Sequence, residues 1–406
     1  MGRTARQIGA AMVWSVAARG GRFVLGMASS VIVVRSLGNY DYGVLSLVRT
    51  LLMFVLIIAG CGLGQTVLKF LPAIRVRACR GEARRLVRRV VAIQVLAWAV
   101  LSTVVYLGRE WIASLFPYPG FATLIAAAVA LALFEMFFTL LSQILNSNYD
   151  TRRLSIAALS SHGVYILMLG VLMPTGAGVL GVLVAAATGF AVSCFIVLGR
   201  VGSALPQQSE EEGEAVAVSR VARYAAPFML VGLLNLVVWR QSETLLLGYF
   251  RSAEETGYFD LAYRMAQLIL EFVPGTVWPL VMAGTSELYA RNSDNLRAAI
   301  DRYYRMLFIL CAPICVTGMV LGGRMIPILF SEQMAPAALP TQLFFAVFTV
   351  SFFATPLSMA LYVMEKTHIN LIVYVCLAVV NVGLDLVLIP RYGVYGAIVP
   401  VAVVIA

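Results

Sequence analysis

Charged and polar side chains recur at helical spacing inside apolar sequence. Ser15, Arg19, Arg22, Gly26 and Ser29 step by four, three, four and three residues, so they share one face of an α-helix. Asp260, Arg264, Gln267 and Glu271 form a second stripe at steps of four, three and four, and Glu135, Thr139, Ser142 and Asn146 repeat those steps. Arg49 has Ser46 on its face, and Arg240, Glu243 and Thr244 share a side beside Trp239. Guanidinium forks stay charged and donate paired hydrogen bonds, which suits a phosphoryl anion. Carboxylates at membrane depth suit a proton or a metal cation. The two kinds of charge are unevenly placed. In the first half Arg19, Arg22 and Arg49 face Glu135, a surplus of positive charge; in the second half Arg240 and Arg264 face Glu243, Asp260 and Glu271, a deficit. All the stripes are expected to face one wet central volume. The rival is helix–helix hydrogen bonding in a dry bundle, which fits Thr139 and Ser142 better than the arginines.

The elements that must carry these stripes follow from composition. Of 406 residues, 61% are hydrophobic and 12% charged, and mean hydropathy is +0.89. A soluble domain is about half apolar and about one quarter charged, so an integral membrane protein is the class that fits. Apolar runs long enough to cross about 30 Å of hydrocarbon lie at 8–34, 43–68, 87–107, 121–147, 154–173, 177–199, 224–249, 258–285, 306–323, 338–363 and 369–389. A twelfth begins near Gly393 and reaches Ala406. At 1.5 Å per residue that covers only about 21 Å, so the last span is expected to be truncated.

The +10 net charge suggests nucleic acid on a soluble chain, but here its placement matters more. With the N-terminus inside, twenty basic residues fall in inside loops and five in outside loops, which orients the N-terminus to the cytoplasm. No nucleic-acid partner is expected. Cys61, Cys194, Cys311, Cys315 and Cys376 lie in apolar runs and read as small core residues. Trp239 and Trp278 are open to two readings, stacking on sugar rings or anchoring at the interface. There is no nucleophile–base pair, metal-ligand cluster or glycine-rich phosphate loop followed by lysine, so neither ATP hydrolysis nor another enzymatic activity is expected.

The chain also repeats itself. Tyr42-Gly43 matches Thr256-Gly257, Arg49 matches Arg264, Arg88 matches Arg302, Gly108-Arg109 matches Gly323-Arg324, and Pro174 with Gly178 matches Pro390 with Gly393. All pairs lie 214 to 216 residues apart, the mark of a duplicated half. The expected fold is an all-α polytopic membrane protein of about twelve helices in two six-helix lobes. The expected divisions are residues 1–200 for the first lobe, 201–220 for a cytoplasmic linker with the acidic run Glu210 to Glu214, and 221–406 for the second lobe.

The stretch Val33-Val34-Arg35-Ser36-Leu37-Gly38-Asn39-Tyr40-Asp41-Tyr42-Gly43-Val44-Leu45, the later Gly60-Cys61-Gly62-Leu63-Gly64-Gln65 and the glycine-led sixth helix resemble the polysaccharide-repeat (O-antigen or exopolysaccharide) flippases. These belong to the multidrug/oligosaccharidyl-lipid/polysaccharide exporter superfamily. The resemblance implies a polyprenyl-pyrophosphate-linked oligosaccharide as cargo, carried by alternating access to the outer leaflet of a bacterial or archaeal cytoplasmic membrane. It implies glycan polymerase and glycosyltransferases as neighbours in the process. Its counterpart in lipid II flippases, cavity arginines on the first, second and eighth helices, falls on Arg19 or Arg22, Arg49 and Arg264. Phe23 follows Arg22 where an aspartate often stands in those relatives, which argues against lipid II as the cargo. On this reading Arg19, Arg22, Arg49, Arg240 and Arg264 bind the pyrophosphate. Glu135, Glu243, Asp260 and Glu271 are candidates for a coupling proton or sodium ion, and no other cofactor is expected. The alternatives are a drug/cation antiporter, which requires an acid-dominated first lobe, and a glycan polymerase or ligase, which requires a large outside loop that is absent from the sequence.

Overall fold

From Arg19 to Gly60 the chain forms 42 residues of apolar helix. A straight helix of that length would be about 63 Å long, twice the thickness of the hydrocarbon. The chain breaks it at Gly38, whose φ of 75° and ψ of −174° lie outside helical space and suit only a residue without Cβ. α1 (Gly2–Gly60) therefore contains the first expected span and most of the second, 43–68, whose last residues fall in the next helix. A second interruption follows at Cys61 and Gly62, with φ of 47° and 66°, and α2 (Leu63–Val76) continues beyond it.

This computed structural model describes residues 2–76, 80–147, 150–204, 218–238, 242–268, 281, 285, 289, 295–364 and 367–405. Among them there is no strand. After α2 come α3 (Arg80–Leu107), the short α4 (Arg109–Ser114), α5 (Phe121–Asn146), α6 (Thr151–Leu172) and α7 (Gly178–Ala204). α8 (Val218–Leu236) and α9 (Ser242–Phe250) share the seventh span. α10 covers 253–268. α11 (Asn295–Leu329), α12 (Ala338–Val363), α13 (Thr367–Tyr392) and α14 (Val394–Ile405) complete the order. Eight described helices are long and apolar enough to cross a membrane, and Ala225–Leu236 and Val394–Ile405 are shorter apolar helices. α11 starts eleven residues before the expected span at 306. Arg297, Asp301, Arg302 and Arg305 carry the helix beyond the apolar window, because helix formation needs no hydrophobicity along a solvated turn.

The chain divides into two compact units. Unit 1 comprises Met1–Ser36 with Val48–Leu233, and unit 2 comprises Leu37–Leu47 with Leu234–Ala406. In unit 1, Leu63, Val67, Leu71, Leu86, Val90, Leu140, Ile144 and Val197 share a buried cluster. Small residues let its backbones approach, as packing inside a membrane requires. A Cβ on Gly189 would come within 2.8 Å of the Ser161 carbonyl, and Ser193 donates to the Ala157 carbonyl at 2.8 Å. In unit 2 the core is aromatic. Tyr263 lies 5.2 Å from Phe344 and 5.2 Å from Phe348, edge-on in both cases, which is the arrangement ring quadrupoles favour.

The repeat is visible in backbone angles. Gly178 opens α7 at φ 53° and its mate Gly393 precedes α14 at φ 56°. In unit 2 the mates Gly43 and Gly257 meet: a Cβ on Gly257 would lie 3.2 Å from the Gly43 nitrogen.

Candidate functional site

Within unit 1, Arg19 and Arg22 lie on the same run of α1 and are close enough to repel one another. Arg19 is half-buried, and Arg22 is exposed on the surface of its unit. Arg49 is half-buried between the buried Ser46 and Thr50. The carboxylate of Glu135, on α5, is within electrostatic range of Arg49. The structure thus brings Arg49 and Glu135 together in one unit.

The hydroxyls of the same stripes turn back on their own helices. Thr139 donates to the Glu135 carbonyl at 2.9 Å, Ser142 to the Phe138 carbonyl at 2.6 Å and Ser29 to the Gly26 carbonyl at 2.9 Å. Such bonds satisfy a hydroxyl locally, so the charged groups carry the chemical character of this unit.

Within unit 2, Arg264 is tied to its own helix. Its Nη2 lies 3.1 Å from Oδ2 of Asp260, one turn earlier. That oxygen also accepts the Tyr42 hydroxyl at 2.9 Å. Asp260 is 3% exposed. Arg240 and Glu271, with Trp239, Pro274 and Trp278, lie outside the described residues.

Glu243 stands in a different setting. It is fully buried near the start of α9. Before it in sequence, α8 gives way to a wider turn at Val237 and Val238. Asn381 of α13 reaches this turn and α9: its Nδ2 donates to Glu243 Oε1 at 2.9 Å, to Ser242 Oγ at 3.1 Å and to the Val237 carbonyl at 3.2 Å. Ser242 Oγ lies 2.9 Å from the Val237 carbonyl and 3.1 Å from Glu243 Oε2. Asp385, one turn beyond Asn381, is fully buried and is faced by Glu243 and Ser242. Both Asp385 carboxylate oxygens and the Asn381 side-chain oxygen accept no hydrogen bond from a described residue.

Asn381 and Asp385 were missed as site residues, and the charge count of the second half omitted Asp385. The signal was present: Asp385 interrupts the apolar run 369–389, and Asn381 precedes it at i−4 on the same helix face. An acid inside a spanning segment is a functional candidate by default. With it the second half is more acidic than counted. Two fully buried carboxylates, Glu243 and Asp385, thus face one another from α9 and α13. The surrounding oxygens form a hard donor set, of the kind that holds hard cations.

No curated protein matches the chain by sequence. Its fold is similar to that of a multidrug-resistance MATE family transporter of the MOP superfamily in an inward-facing conformation. The TM-score is 0.76 at 14% identity, covering 95% of this chain and 91% of the other. It is also similar to the lipid II flippase MurJ in an inward closed conformation, with a TM-score of 0.72 at 14% identity, covering 97% and 85%. A third similar structure is a MOP superfamily transporter from Pyrococcus furiosus, with a TM-score of 0.64 at 15% identity, covering 97% and 93%. At these identities the likeness establishes the fold, that of a multi-pass helical membrane protein. A family model described as polysaccharide biosynthesis protein matches residues 32–339, most of the chain, so the chain belongs to that family.

Proposed function

We propose that the chain is a flippase that moves a polyprenyl-pyrophosphate-linked oligosaccharide from the cytoplasmic to the outer leaflet by alternating access, with its N-terminus in the cytoplasm. The observation that carries this reading is the basic character of unit 1 at membrane depth. Arg19, Arg22 and Arg49 sit on membrane-crossing helices with Glu135 as the acid beside Arg49. Side chains of that cost within a bilayer are kept for a charged cargo or a proton path, and guanidinium forks match a pyrophosphate. Membership of a polysaccharide biosynthesis family supplies the glycan. In unit 2 the Glu243–Asn381–Asp385 group takes the coupling cation, a proton or sodium. Its buried oxygens, contributed by two helices, support that role.

The test uses proteoliposomes loaded with a fluorescent polyprenyl-pyrophosphate disaccharide, with dithionite quenching as the measure of leaflet exchange. Arg22→Ala and Arg49→Ala are expected to lower exchange at least tenfold each. Exchange at the native rate in both would refute the pyrophosphate role. A drug/cation antiporter is the reading favoured by the acids of unit 2 taken alone. It predicts sodium- or proton-driven uptake of an organic cation with no response to the pyrophosphate lipid.

A further inference from the structure

The sequence Ser252-Ala253-Glu254-Glu255 has the form of a capping box at the start of α10. One half of the box is made: the Glu255 nitrogen donates to Ser252 Oγ at 3.3 Å. In a complete box the glutamate side chain would turn back to the Ser252 nitrogen. Here it turns to another helix. Glu255 Oε2 accepts the N–H of Val394, the first residue of α14, at 3.1 Å. Arg251 holds the carboxylate there, with Nη2 3.0 Å and Nε 3.1 Å from Oε1. A carboxylate at a helix start satisfies an orphan N–H and complements the helix dipole. Gly393 makes the approach possible, because a Cβ there would overlap Glu255 Oε2 and lie 3.0 Å from Arg251 Nε.

The turn itself does not require this clip. Its repeat mate Gly178 opens α7 at φ 53°, against 56° at Gly393, and a Cβ on Gly178 would meet no atom within 4 Å. The same backbone corner therefore stands in unit 1 with no carboxylate against it. Unit 2 differs in holding the Glu243–Asn381–Asp385 group, and the clip joins the stretches of chain that carry it. The Arg251 nitrogen donates to the Leu247 carbonyl at 2.9 Å, which extends the helix that starts beside Glu243. The Gly393 nitrogen donates to the Ile389 carbonyl at 2.9 Å, which ties the corner to the end of α13.

α9 is nine residues long, and of the residues it buries Leu247 is the one large apolar side chain. Hydrophobic adhesion scales with the area buried, so this short face resists sliding weakly. The Asn381–Glu243 bond fastens the start of α9. The clip fastens its far end, eight residues on and about 12 Å along the helix. Two fastenings that far apart fix rotation and register together, whereas either alone leaves a pivot.

We propose that Glu255 is a positioning residue for the Glu243–Asn381–Asp385 group. By clipping the start of α14 to the end of α9 it holds α9 in register with α13, so that the carboxylates of Glu243 and Asp385 stay within reach of one cation. The proposal rests on the reading of that group as the coupling-cation site.

The experiment follows thermal unfolding of the detergent-purified full chain against sodium chloride, with choline chloride holding ionic strength, and against pH. Asp385→Asn identifies the part of each response that belongs to the group. Glu255→Ala is expected to raise the half-saturating concentration of the responding cation at least fivefold. A melting temperature lowered equally at every cation concentration, with the midpoint in place, is the mark of a merely structural cap and overturns the proposal.

Gly393→Ala and Gly178→Ala introduce the same backbone strain, and only the first displaces the carboxylate. Gly393→Ala is expected to move the midpoint as Glu255→Ala does, and Gly178→Ala to leave it in place. Equal shifts in the two alanine variants overturn the positioning role. A native chain with no Asp385-dependent response to either cation refutes the cation reading itself, and the positioning role falls with it.

Discussion

Asn381 donates from Nδ2 to Oε1 of Glu243 at 2.9 Å, linking α13 to α9 across 138 residues of sequence. Among the described residues no donor reaches the amide's own oxygen, and Asp385, one turn along α13, is faced by Glu243 and Ser242. Buried oxygens of two carboxylates and an amide form a hard donor set that suits a cation.

Sodium should therefore stabilise the folded protein if it is the coupling ion. A ligand at one hundred times its dissociation constant adds about 2.7 kcal/mol by mass action. The melting temperature of the detergent-purified chain should rise in sodium chloride relative to choline chloride at equal ionic strength. Asp385→Asn should remove most of the rise. Equal melting curves in the two salts would exclude sodium and leave the proton as the coupling ion.

Pyrophosphate recognition should track guanidinium geometry rather than charge alone. A hydrogen bond to a charged group contributes about 1.5–3 kcal/mol. Arg22→Ala and Arg49→Ala should each weaken polyprenyl-pyrophosphate binding by about tenfold to a hundredfold, while binding of uncharged polyprenol stays as it was. Arg49→Lys should recover only part of the loss, since an ammonium lacks the planar fork. Microscale thermophoresis with the two lipids separates these outcomes.

The Asp260–Arg264 pair should show coupling in a double-mutant cycle. Asp260 is almost wholly buried and Arg264 half-buried. Removing one member of a buried pair leaves the other uncompensated. Asp260→Ala should cost about 2–4 kcal/mol in urea-induced unfolding, and Asp260→Ala with Arg264→Met should cost less than the sum of the single changes. Strict additivity would mean that the pair contributes nothing.

Glycines should divide by what their missing Cβ would meet. At Gly396 it would run into the Leu388 carbonyl and lie 3.1 Å from the Ile389 nitrogen, both backbone atoms that cannot rotate away. Gly396→Ala should destabilise by about 1–3 kcal/mol through overpacking. Gly170 has no atom within 4 Å of that position, so Gly170→Ala should be neutral or should stabilise by up to about 1 kcal/mol through helix propensity. Thermal unfolding of the two variants side by side checks the order.

Much of the fold was legible from local pattern. The expected spans at 121–147, 154–173, 177–199, 338–363 and 369–389 agree with helices to within a few residues, because hydropathy and length suffice to define a crossing helix. The spans expected at 8–34 and 43–68 left residues 35–42 between them, whereas helix continues on both sides of Gly38. A positive φ at one glycine is enough to redirect the chain, and apolar windows do not register it. The candidate site residues differ in how visible they are in the sequence. Arg19, Arg22 and Arg49 stood out because charge inside apolar sequence is conspicuous, whereas Asn381 looked ordinary until Glu243 was found against it.

Sequence alone determined the membrane class, the positions of the spans, the duplicated half and the polar stripes. Each of these depends on composition or on periodicity along one helix, so no distant contact is needed to define it. Tertiary structure alone decided which carboxylates share a site and which are tied to neighbours. Glu243 and Asp260 are both buried acids on helices of the same half. The first meets Asn381 and faces Asp385, and the second is held by Tyr42 and Arg264. The Asp260–Arg264 pair is local at i, i+4, but the Tyr42, Asn381 and Asp385 contacts lie more than a hundred residues away in sequence, where local spacing carries no information.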